Sequence, residues 1–171
     1  MLNDPAYRQF EKDFIAKNPG MKDLLEAAGV HSMSQLDPGK IYVLNSSDGT
    51  KTLRIIDDSE GRVTPQYTGL VNVSGESSLN YYVFLFSLQG TSTTNGSCTG
   101  LPISIPQASA SAYVYGPAST SRTAYGSYSV SANVAISRPP TGGYSLSGYH
   151  TNNSCSGSFA YVYTYDSAYV Y

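Results

Sequence analysis

Catalysis needs titratable or nucleophilic side chains brought together, and in this chain such residues thin out along the sequence. Beyond Gly75 the charged residues are Glu76, Arg122, Arg138 and Asp166, joined by a lone histidine, His150. No acid–base pair can be assembled from that set by spacing. The densest carboxylate group is earlier, at Asp57, Asp58 and Glu60. Neighbouring strand residues face opposite ways, and Asp-Ser-Glu-Gly is ordinary turn chemistry, so a turn is expected there rather than an acid–base or Ca²⁺ site. His31 and His150 could be combined with Cys98 and Cys155 on paper, but none is paired at the short spacings zinc sites use. Serines abound without a Gly-x-Ser-x-Gly elbow, neither histidine has an identifiable carboxylate to orient it, and Gly-rich phosphate loops are missing. The expectation is a protein that is not an enzyme, with no catalytic residues, no metal and no cofactor.

The side chains that do recur are tyrosines, 16 of them, with no tryptophan. In Phe159–Tyr171 the odd positions Phe159, Tyr161, Tyr163, Tyr165, Tyr169 and Tyr171 alternate with Ala160, Val162, Thr164, Ala168 and Val170. Alternation with a period of two is a strand signal, and it places every one of these aromatics on one face. Asp166 breaks the other face. Ala-Tyr-Val-Tyr occurs at 160–163 and 168–171 and also at 112–115, which adds Tyr113 and Tyr115 to the set. A Tyr-rich, lysine-free surface has the composition of a protein interface or of a platform on which sugars stack, because tyrosine is apolar in body and polar at its tip. The competing reading is that cross-strand aromatic pairs simply stabilise the sheet. The interface residues expected on this basis are Tyr113, Tyr115, Tyr161, Tyr163, Tyr165, Tyr169 and Tyr171. The absence of Trp counts against sugar stacking.

Several elements must position these residues. Asp4 as N-cap, Pro5 at the first helical position and the stripe Tyr7, Phe10, Phe14, Ile15 predict an amphipathic helix over 4–17. A second helix follows with Met21, Leu24, Leu25 and Ala28 inward and Gly29 ending it, and Ser32 and Gln35 resemble a capping box. The first helix either packs on the strands that follow or serves as an anchor into a groove of a larger assembly through Tyr7, Phe10, Phe14 and Ile15. Ile41–Asn45 and Thr52–Ile56 flank an Asp-Gly turn and predict a hairpin. With Arg62–Thr64, and Pro65 at an edge, they would make a small meander over 40–73 on which the helices lie.

Leu79–Leu88 is apolar on both faces and reads as a central strand, followed by a long polar loop over 90–107. Further strands are expected at 110–116, at 128–136 with the even positions inward, and at 144–149 after a Pro-Pro-Thr-Gly-Gly turn. The closing tyrosine stretch is long for one strand, so a bend is expected at Asp166-Ser167. Cys98 and Cys155 sit in matching Asn/Gly/Ser-rich contexts and are either bonded to each other or two free thiols.

The fold class read from this pattern is α+β. Short N-terminal helices on a small antiparallel meander (residues 1–75, a base or anchoring domain) precede an antiparallel β-sandwich of Ig-like or jelly-roll-like type (residues 76–171). A formal net charge of −2 gives no electrostatic case for nucleic acid or an anionic membrane surface, and no run of residues approaches a membrane span. The N-terminus lacks the pattern of a signal peptide, whereas the second half resembles an extracellular β-module. Cytosolic synthesis with exposure after lysis reconciles the two. The expected role is therefore a structural or accessory subunit of a large extracellular assembly, most simply a phage virion decoration, collar or fibre protein. Its expected partners are other copies of itself and a major structural protein of the particle. The alternative is a surface adhesin or glycan-binding module that takes host-surface glycans on its tyrosines.

Overall fold

The computed structural model describes residues 4–47, 49–56 and 71–171. Asp4 caps helix α1 (Pro5–Lys17) by accepting the Ala6 N–H at 3.1 Å, and helix α2 (Pro19–Ala28) ends on Gly29 at φ 73°, the left-handed conformation glycine adopts freely. A 3₁₀ turn (Met33–Gln35) carries the expected capping box and is tied to α1 by Glu11, which accepts from the Met33 N–H and the Ser32 hydroxyl.

Among the described residues nine strands follow: β1 (Ile41–Ser47), β2 (Thr50–Ile56), β3 (Val71–Tyr82), β4 (Ser87–Cys98), β5 (Ala108–Tyr115), β6 (Thr120–Gly126), β7 (Ser129–Ser137), β8 (Gly142–Cys155) and β9 (Ser158–Val170). They form two antiparallel sheets, β2-β1-β9-β8-β5-β6 and β3-β4-β7, packed as a sandwich. The helices lie on the outer face of the larger sheet and make a third layer.

The hairpin β1–β2 forms in the expected place, with Ile41 opposite Ile56 and Ser47 opposite Thr50. Its free side pairs with β9, from Ile41↔Val162 to Asn45↔Ser158, so the core that an isolated hairpin lacks comes from the C-terminal strand. The boundary expected at 75/76 separates no strands: β3 runs through it, and β1 shares a sheet with β9. The third meander strand, Pro65 and the Asp57-Asp58-Glu60 turn lie outside the described residues.

Three other expectations are corrected. Leu79–Leu88 is not a central strand. It holds the end of β3, a tip with one 3₁₀ turn (Val83–Leu85), and the start of β4. The stretch 90–98 is not loop but most of β4, whose core-facing positions include Leu88 and Gly90 and the buried hydroxyl residues Ser92 and Thr94. Asp166-Ser167 is not a bend, because β9 stays paired with β8 from Asn152↔Ala160 to Gly142↔Val170. Asp166 instead reaches the other sheet, where Oδ2 accepts the Leu79 N–H at 2.8 Å.

Between the sheets two apolar clusters flank a polar belt. One cluster holds Leu79, Leu88, Val114, Leu146 and Val170, and the other Ile41, Val43, Val71, Val73 and Val162. In the belt, His150 of β8 is fully buried and its Nδ1 and Nε2 lie 2.8 and 2.7 Å from the hydroxyls of Thr94 and Thr164. Thr94 donates its own proton to the Ser109 carbonyl at 2.8 Å, so it accepts from Nδ1–H. Nε2 is then the bare nitrogen and accepts from Thr164, whose oxygen is in turn 2.5 Å from the Ser77 hydroxyl. Burial lowers the pKa of His150 to about 3, which keeps the ring neutral and this proton order intact. Gly75 is required opposite the ring, since a Cβ there would collide with the imidazole. Cys98 and Cys155 are bonded, with Cα atoms 5.4 Å apart, and staple β4 to β8 across the sandwich.

Candidate functional site

The tyrosine row is genuine but divided. Odd residues of β5, β8 and β9 share the outer face of the larger sheet, and α1 and α2 cover part of it. Under the helices, Tyr7 and Tyr149 share a hydroxyl–hydroxyl hydrogen bond of 3.0 Å, Tyr149 stacks on Tyr161 and Tyr163, and Phe10 packs at 5.2 Å on Tyr113 and 5.6 Å on Tyr149. Tyr113 donates to Asp4 Oδ2 at 2.8 Å, which ties the start of α1 to β5. Burial raises the phenol pKa of Tyr7 to about 12 and pushes Tyr149 and Tyr161 well above the ordinary value, so these rings stay neutral.

Tyr113 and Tyr161 are therefore core residues, not interface residues, because α1 and α2 exclude any partner from them. Tyr163 is half-buried, its hydroxyl 3.0 Å from that of Ser147. The same packing answers the anchor expectation: Tyr7, Phe10 and Phe14 are buried against the chain's own sheet and Ile15 packs beside them, so this stripe is not free to enter another protein's groove. Of the expected interface residues, Tyr115 (39%), Tyr165 (61%), Tyr169 (53%) and Tyr171 (90%) reach the surface.

These four lie towards one end of the sandwich, called here the apex. Strand register fixes what surrounds them. Tyr115 pairs with Ser145, and Ser145 with Ser167, so Tyr115 looks across β8 at the gap in the tyrosine row between Tyr165 and Tyr169. Gly143, Ser145 and Ser167 floor a shallow groove of about 620 Å³ walled by Tyr115 and Tyr169. β1 pairs β9 only from Ser158 to Val162, and Gly39 N–H donates to the Tyr163 carbonyl at 2.7 Å. Among the described residues no strand pairs the outer edge of β9 beyond that point, which leaves an open edge alongside the exposed tyrosines.

The β3–β4 tip also belongs to the apex. Val83, Phe84, Leu85 and Phe86 are 58%, 97%, 65% and 60% exposed, and Tyr82 beside them is 44% exposed. Phe86 sits in the left-handed region at φ 47°, its N–H bonded to the Val83 carbonyl at 3.2 Å. Its own carbonyl accepts the Arg138 N–H at 2.7 Å, and Arg138 is left-handed too, at φ 49°. Such a backbone costs on the order of 1–3 kcal/mol per bulky residue and persists only where surrounding structure enforces it. Four large apolar side chains held outward on a strained turn are the most exposed hydrophobic feature of the described residues.

Sequence periodicity missed this tip because Tyr81–Phe86 carries no Gly, Pro, Asn or Asp to mark a turn. The signal that was available is the similarity of its flanks: 71–80 and 87–98 are both Ser/Thr/Asn/Gly-rich, and they pair with each other. The gap at Ser167 was legible as the one odd position of the row without an aromatic. The remaining histidine, His31, follows α2 at the surface, with its N–H donated to Gln35 Oε1 at 2.8 Å. Among the described residues no helix is long and apolar enough to cross a membrane. Compared with known proteins, the chain matches no family model, and no curated protein or solved structure matches it.

Proposed function

We propose that this protein is a non-enzymatic structural subunit of a large extracellular assembly, of the kind a phage virion decoration, collar or fibre protein represents. The observation that carries the reading is the apical tip Val83–Phe86, which holds four large apolar side chains in water on a strained turn. Exposed apolar surface of this kind marks a site of association. The outer edge of β9 beyond Tyr163, to which no strand pairs among the described residues, lies at the same end and would accept a strand from a partner or a second copy. Attachment runs through the apex, and the helices, buried on their own sheet, stay with the fold.

The test is sedimentation of particles from the native source on a density gradient, with the chain followed by peptide mass spectrometry. Wild type is expected to peak with large particles at a fixed ratio to their major protein. The double variant Phe84→Asp/Leu85→Asp, whose fold is checked by circular dichroism, is expected to stay at the top of the gradient. Wild type at the top of the gradient would refute the assembly reading, and a variant that still sediments with particles would refute the tip as its attachment. A second reading, a surface adhesin or glycan-binding module, is favoured by the groove between Tyr115 and Tyr169.

A further inference from the structure

We propose that the apical groove is a saccharide site for a neutral sugar ring, cradled between Tyr115 on one side and Tyr169 on the other, with the hydroxyls of Ser145 and Ser167 at its floor. The proposal rests on the glycan-binding reading and gives it a location and a ligand class.

Register makes the cradle. Strands β5 and β9 lie either side of β8 and so run about 10 Å apart across the sheet, with Ser167 opposite Tyr115. Opposite Tyr115 the row carries Ser167 in place of a ring, which leaves a notch whose floor is small and hydroxylated. A pyranose has both features that such a notch meets: C–H faces that pack on aromatic rings, and hydroxyls that exchange hydrogen bonds with serine and tyrosine oxygens acting as donor or acceptor.

Charge selects the class. Among the described residues that line the groove there is no carboxylate, amine, guanidinium or imidazole. Asp166, between Tyr165 and Ser167 in sequence, points to the opposite face and accepts the Leu79 N–H. Nothing in the groove would compensate a phosphate, a sulfate or a sialic acid carboxylate, whose burial without a partner is unfavourable. A peptide strand would pair at the outer edge of β9 and not on the groove floor, because β8 is hydrogen-bonded to β5 on one side and β9 on the other.

The experiment uses the full chain on a glycan array carrying neutral and sialylated oligosaccharides, with affinities for any hit measured by titration. Expected is binding to neutral glycans, weakened at least tenfold by Tyr169→Ala and by Tyr115→Ala. Ser167→Tyr is the decisive variant. It fills the notch while adding aromatic surface, so a cradle loses binding at least tenfold, whereas an unstructured sticky patch keeps or gains it. All three positions are at or near the surface, and an unchanged denaturation midpoint shows that the fold is intact. Neutral-glycan binding that survives Ser167→Tyr would overturn the groove while leaving glycan binding standing. A preference for acidic glycans would overturn the ligand class, and an array without any hit would overturn both the site and the glycan reading.

Discussion

The two halves of the tyrosine row have the same sequence pattern and opposite fates. Around Tyr149 and Tyr161 the rings are core, closed over by Phe10 and Phe14 of α1 and by α2. Beyond Tyr161 on the same face, Tyr165, Tyr169 and Tyr171 are in water. Nothing in the local chemistry of the strand distinguishes them, and the boundary is where the helical layer stops. An aromatic row is thus a statement about the face of a sheet. Whether it is core or contact surface depends on an element far away in sequence, here joined through Asp4 to Tyr113.

Truncating rings on either side of that boundary breaks the comparison most directly. Tyr149→Ala removes a fully buried ring that touches Phe10, Phe14, Tyr161 and Tyr163, and is expected to cost about 3–5 kcal/mol, read as a lower denaturant midpoint. A loss below about 1 kcal/mol would mean that the helices do not close over this face in solution.

The next effect in size lies on the inner face. His150 has its folded pKa lowered to about 3 against an ordinary 6.5, so between those values the unfolded chain binds the extra proton. Stability from this group is complete above about pH 6.5 and is lost as pH falls towards 3. The slope is about 1.4 kcal/mol per pH unit, or roughly 2 kcal/mol between pH 7 and 5. Denaturation of the wild type and His150→Asn across this range measures it: the difference between the two curves should shrink as pH falls, and a constant difference would place the imidazole in contact with water.

The smallest effect sharpens the contrast. Tyr165→Ala, beyond the helices, is expected to change stability by no more than about 0.5 kcal/mol. A cost like that of Tyr149 would show that residues outside the described set, or a second copy, cover the apex.

Much of the fold was legible in the sequence. Asp4, Pro5 and Gly29 set the helix limits by local capping and backbone chemistry, the hairpin β1–β2 follows from alternation around Asp-Gly, and the parity of β9 places its aromatics on one face. These are short-range consequences of side-chain shape and of periods of 3.6 and 2. Less of the candidate site was legible. Ser/Thr/Gly-rich β4 reads as loop because its hydroxyls look solvent-bound, yet Ser92 and Thr94 are buried in the belt beside His150. Asp166 reads as a break because its partner, the Leu79 N–H, lies 87 residues away.

By itself, then, the sequence determined the two helices, the hairpin β1–β2 and the common face of the β9 aromatics, since those depend on neighbours along the chain. Only the tertiary structure decided that the helices cover half of the row, that Tyr81–Phe86 turns outward, and that Tyr115 stands opposite Ser167. Register between distant strands and the packing of one layer on another are set by long-range contacts, which no local period encodes.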